Sequence, residues 1–185
     1  MEVKGTAIAA MPTFIADRFG WDKLDQWLKA LPPESRKVYS QQVMVNDWFD
    51  LKRIYLDPTE LLCELFYGGD RRGAWELGRA SAEYGLKGVY RAFVKMTSVK
   101  FFIRRANVML PAYFKPCAME LVSQENNRTV AHMTLFPEPH AIVDNRIAGW
   151  MERSLEIHGC RDVKVEVTKS LANQDPVTEF VLTWK

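Results

Sequence analysis

The stretch CAMELVSQENNRTVAHMTLFPEPHAIVDNRIAGWMERSLEIHG, residues 117–159, is where the pattern of this chain changes. Cys117–Ser123 and Thr129–Phe136 are apolar runs of strand length, and Gln124-Glu125-Asn126-Asn127-Arg128 between them consists of turn-forming residues, so the pair predicts a hairpin. Pro137-Glu138-Pro139 then leads into a helix from about His140 to His158, with Ile142, Ile147, Trp150, Met151 and Leu155 inward and Gly159 as its stop. Further on, Val163-Lys164-Val165-Glu166-Val167 alternates apolar and charged residues, and Phe180–Trp184 makes a second strand beyond the polar loop Ser170–Pro176.

Upstream the pattern is helical. Ile8, Met11, Ile15 and Phe19 share one face, with Pro12 kinking that helix or marking its effective start, and Gly20 ending it. Leu24, Trp27, Leu28 and Leu31 repeat the spacing until Pro32-Pro33, and Pro33 opens another short helix. Val43–Leu56 shows no clear period. Asp57-Pro58 has the residue types of a helix start, with Asp57 as cap, and the helix runs through Phe66. Arg71–Tyr84 is helical, and Leu86–Phe114 reads as two more helices divided near Thr97-Ser98. The expected fold is α+β: one domain over residues 1–185, a helical layer (1–116) followed by a ββαββ part (117–185), an antiparallel four-stranded sheet with a long helix packed on it.

With 185 residues, 48% of them hydrophobic and 26% charged, the chain has the apolar content for a core of its own. Its net charge of +2 is too mild for a dedicated nucleic-acid binder. Cys63, Cys117 and Cys160 have no paired C-x-x-C spacing, which points to reduced thiols rather than disulfides or zinc. No run approaches the roughly 18 apolar residues of a membrane span, and the opening MEVKGTAIAAMP lacks a basic segment followed by a long apolar one, so a cytoplasmic protein is expected. No G-x-S-x-G, P-loop, G-x-G-x-x-G or H-E-x-x-H motif occurs. Glu60 with Glu64, and Glu152 with Glu156, are spaced to share helix faces and read as solvated. An enzyme is not expected.

The element order resembles the superfamily of haem-nitric oxide/oxygen-binding (H-NOX) domains, vinyl-reductase-type ligand-binding domains and TRAPP vesicle-tethering subunits. Val3-Lys4-Gly5-Thr6, followed by a helix ending Arg18-Phe19-Gly20, resembles the start of a haem domain. Glu76–Tyr84, Val89-Tyr90-Arg91, Phe136–His140 and Ile147–Glu152 are similar in wording to an uncharacterised bacterial family of haem-domain relatives. The resemblance implies a proximal iron ligand where Lys100 stands, and a protonated lysine cannot ligate iron. It also implies a Tyr-x-Ser-x-Arg propionate clamp where the chain reads Leu121-Val122-Ser123-Gln124-Glu125, which keeps only the serine.

The expectation is therefore a non-enzymatic, haem-independent sensor or adaptor domain in signalling, binding a small apolar ligand or a protein partner, with no cofactor. Its alternatives are a haem-based gas sensor with a displaced ligand, for which His132 and His140 are the candidates, and a structural module that forms a homodimer. Trp75, Tyr84, Tyr90, Phe93, Phe101, Tyr113, His132 and Trp150 are the pocket candidates, in a pocket placed between residues 71–114 and 117–158. Phe102 belongs to the same aromatic set, whereas His158, at the end of its helix, reads as structural. Leu86–Pro116 has seven basic residues and no acidic one. Lys87, Arg91 and Lys95 recur every four residues, as do Lys100 and Arg104, and this stripe is the expected contact for an acidic signalling protein or an anionic ligand rather than nucleic acid.

Overall fold

The computed structural model describes residues 1–86 and 96–185, without the side chains of residues 106 and 107. The carboxy-terminal part has the expected topology. Strands β4 (Ala118–Gln124) and β5 (Arg128–Leu135) form the hairpin, α9 (Ala141–His158) crosses, and β6 (Lys164–Lys169) and β7 (Thr178–Thr183) complete an antiparallel sheet of order β4-β5-β7-β6. His140 caps α9 with its ring, Nδ1 accepting the Ile142 N–H at 3.2 Å, and Gly159 ends it in the left-handed conformation.

The amino-terminal part departs from an all-helical layer. Between its helices it carries a second sheet of order β2-β1-β3, made of β1 (Glu2–Lys4), β2 (Trp48–Asp50) and β3 (Phe114–Lys115). Strands of two or three residues are too short to show a period of two, so nothing in the pattern announced them. The helices are α1 (Gly5–Ile8), α2 (Met11–Phe19, with Pro12 in its first turn), α3 (Trp21–Ala30), α4 (Pro33–Tyr39), α5 (Asp57–Tyr67) and α6 (Arg72–Gly85). Asp57 is not a cap. A π-helical turn over Lys52–Leu56 runs directly into α5, and the Asp57 carboxylate instead takes Lys52 Nζ at 2.7 Å. Beyond residue 96 come α7 (Val99–Arg104) and α8 (Ala106–Met109), and a 3-10 turn at Leu110–Ala112 ends the helical run before Phe114, which is already strand. The first of the two helices expected over Leu86–Phe114 falls almost wholly outside the described residues.

Helices α6 and α9 hold the two parts together. A Cβ on Gly78 would overlap the carbonyl of Arg146, and one on Gly149 would overlap the carbonyl of Trp75. Each helix thus presents a glycine to the other's backbone, and a crossing this close admits no larger side chain. Beside it, Arg79 binds Glu152 and Glu156, and Arg153 binds Glu83 and Glu156. Glu152 and Glu156 are therefore half-buried members of an ion network, not a solvated face. Burial pushes the Glu156 carboxyl up, but the hydrogen bonds from Arg79 and Arg153 outweigh it and hold the group below its ordinary value.

Candidate functional site: the interlayer pocket

The helical layer and the four-stranded sheet do not close on each other completely. Between them lies a cavity of about 100 Å³, partly open to solvent. That is smaller than the roughly 300–1,000 Å³ usual for drug-sized ligands, so a cofactor-sized group enters only if the layers part. Its walls come from every layer: Thr6, Ala7 and Tyr55 at the amino-terminal end; Gly78, Ser81 and Gly85 of α6; Phe102, Ile103, Met109, Leu110 and Tyr113 from α7 to the 3-10 turn; Met119, Leu121, Thr129, Ala131 and Leu182 of the sheet; and Arg146, Ile147, Trp150, Met151, Ser154 and Leu155 of α9.

Of the aromatic residues expected to line a pocket, Tyr113 and Trp150 do so, with ring centroids 6.4 Å apart. Four others are elsewhere. Trp75 turns its indole toward Glu152, and Tyr84 lies by a shallow depression against Phe14 and Arg18. Phe101 is exposed, whereas its neighbour Phe102 faces the cavity, because adjacent residues on α7 point about 100° apart. His132 is excluded by strand parity: Thr129 and Ala131 face the cavity, so His132 faces away and bonds Glu179 through Nε2 at 2.7 Å. Tyr90 and Phe93 lie outside the described residues, as do Lys87, Arg91 and Lys95 of the basic stripe. Lys100 and Arg104 are exposed on α7.

Polar groups in the pocket are few. Ser81 and Ser154 give their hydroxyls to carbonyls one turn back in their own helices. Thr129 is 1% exposed and its Oγ1 has no partner. Arg146, 2% exposed, donates from Nη1 to Thr59 Oγ1 at 2.9 Å and from Nη2 to the Ala7 carbonyl at 2.8 Å, with its guanidinium 3.7 Å from the centre of the Tyr55 ring. Burial pushes the Tyr55 hydroxyl up although Arg146 opposes it, so the ring is a neutral phenol. His158 extends the Met151–Ser154–Leu155 face of α9 by one turn. Its Nε2 is buried with no partner, and its ring centroid is 5.8 Å from that of Phe102.

Sequence reasoning passed over Arg146, although a signal was there: Arg146 falls four residues from both Ile142 and Trp150, a charge set into the apolar stripe. Thr129 and the orphaned nitrogen of His158 left no such trace, because a missing partner is a property of the fold alone.

No protein-family model matches this chain, and no curated protein does. Solved structures do. The chain is similar to the H-NOX protein from K. algicida in its unliganded Fe(II) state, with a TM-score of 0.71 at 11% identity over 98% of this chain and 96% of that one. The H-NOX protein from S. oneidensis in its Fe(II)NO state gives 0.75 at 7% identity over 98% and 99%, and a point mutant of T. Tengcongensis H-NOX gives 0.68 at 14% over 98% and 97%. The protein has the H-NOX fold. The expectation of no cofactor is corrected by this finding, since the K. algicida and S. oneidensis proteins, which share the fold over nearly the whole chain, are Fe(II) proteins.

The residues present suit a haem group in kind, but not at the family's positions. Leu121 brings an apolar side chain to the pocket where the clamp tyrosine would stand, and Lys100 is in solvent. What the pocket offers instead is an apolar slot and a buried cation at Arg146; His158 does not line it, but its ring, with the unpartnered Nε2, packs against the lining residue Phe102.

Proposed function

We propose that this chain is a sensor domain of the H-NOX fold whose interlayer pocket widens to take haem, with His158 as the protein's ligand to iron. The observation that carries this reading is the buried Nε2 of His158, unpartnered and packed beside pocket-lining Phe102. A neutral imidazole suits iron, and a buried nitrogen with no hydrogen bond is poised for a Lewis acid. The other two histidines are committed elsewhere, His132 to Glu179 and His140 to the α9 cap and Glu60. Haem, when bound, would supply an iron that can take a diatomic gas. Around it, Phe102, Met119, Trp150 and Leu155 exclude water, and the α6–α9 crossing keeps the helix bearing His158 in place. The output face is the exposed basic surface of Lys100 and Arg104, which flanks Phe102 in sequence and suits an acidic protein partner.

The test is titration of the purified protein with ferric haem. A Soret band that saturates at one haem per chain, lost in His158→Ala and kept in His132→Ala and His140→Ala, is expected. No saturable band in the wild type, or a band unchanged in His158→Ala, overturns the proposal.

A further inference from the structure

We infer that Arg146 is the anchoring site for a carboxylate carried by an otherwise apolar ligand of the pocket. This rests on the interlayer pocket being the ligand site, but not on the ligand containing iron. Arg146 is the only fully buried basic residue among the described residues, and it lines a cavity whose other walls are almost entirely apolar. A guanidinium has five N–H donors, and the two hydrogen bonds of Arg146, to Thr59 and Ala7, leave three of them over.

Among the described residues, no carboxylate forms an ion pair with it. The nearest buried acid along α9 is Asp144, and its carboxylate is engaged with the Ser170 hydroxyl at 2.5 Å and the Thr178 hydroxyl at 3.4 Å. Residues 87–95, 106 and 107 contain no Asp or Glu, so they supply no counter-charge either. The face of Tyr55 offsets part of the cost of burying a cation, but its phenol is neutral. A buried charge without a counter-ion is expensive, and a ligand carboxylate would supply both the missing charge and the acceptors, in two-pronged geometry.

The position also points to a ligand rather than to fold assembly alone. Arg146 sits at the Gly78 crossing, where its backbone cannot move away, and its side chain reaches past that crossing to the Tyr55 end of the cavity. Thr129, with its free Oγ1 on the sheet wall, supplies a second polar contact. An elongated or planar apolar acid, such as a porphyrin propionate or a fatty acid, has this chemistry.

The experiment compares each acid with its ester on the wild-type protein, following quenching of pocket-lining Trp150. The probes are metal-free protoporphyrin IX against its dimethyl ester, and palmitic acid against methyl palmitate. At least one acid is expected to bind at least about tenfold tighter than its ester, the scale of a charge-assisted pair in an apolar site. Arg146→Lys should keep part of that preference and Arg146→Met should erase it. Equal affinity of acid and ester, or no binding of either acid, overturns the inference. Because the wild type carries the comparison, a variant that fails to fold does not decide it. Because neither probe contains iron, the result is separate from the haem titration: a carboxylate preference without a Soret band upholds Arg146 and sinks the haem reading, and a Soret band without a carboxylate preference does the reverse.

Discussion

Thr129 places a hydroxyl with no partner in an apolar wall, which costs roughly 1–3 kcal/mol relative to a satisfied group. Thr129→Val, close to isosteric, is therefore expected to stabilise the ligand-free protein by about 1 kcal/mol in urea unfolding while weakening any ligand that uses the hydroxyl. On the opposite face of the sheet, Glu179 of β7 accepts from Thr168 and His132 and pairs with Lys169, and these contacts lower its carboxyl to about 2. Its folded value is below its ordinary value of 4.5, so its contribution is complete above that pH and is lost as the pH falls toward 2. Glu179→Gln should be less stable than wild type near neutrality, with the difference in unfolding midpoint shrinking steadily below about pH 5. A constant difference from neutrality down to about pH 3 would show that the carboxylate is not the source.

At the scale of elements, α9 meets α6 in backbone contact at Gly78 and Gly149, and the pocket depends on that crossing. Gly78→Ala and Gly149→Ala each set a methyl group into the other helix's carbonyl, so each should destabilise by about 1–3 kcal/mol or more in thermal unfolding, an overpacking cost. Gly78→Ala should also weaken the Arg146-dependent preference for acid over ester, because it presses on Arg146 itself. The ion network beside the crossing contributes less. Arg79 and Glu156 are both about a quarter exposed, and a double-mutant cycle on them should give a coupling of about 0.5–1 kcal/mol, the scale of a partly solvated pair.

For the molecule as a whole, the basic face and the pocket should be separable. Lys100→Glu with Arg104→Glu changes two exposed side chains and is expected to shift stability by no more than about 0.5 kcal/mol and to leave Trp150 quenching by pocket ligands unchanged. A large loss in thermal unfolding would mean that the stripe is paired internally. The ββαββ end with its long helix and the apolar faces of α2 and α3 were legible in the sequence, because each is a local periodicity that any chain with those side chains must satisfy. So were the phrases Glu76–Tyr84 and Ile147–Glu152, although not that Gly78 of one meets the backbone of the other and Gly149 the reverse. Which residues share the pocket was decided only in three dimensions. Strand parity sends His132 out and Thr129 in, one step along α7 separates Phe101 from Phe102, and strands of two or three residues carry no pattern at all. The vacant valences at Arg146, Thr129 and His158 belong wholly to the tertiary structure, since whether a polar group has a partner depends on what the rest of the chain brings within about 3 Å of it.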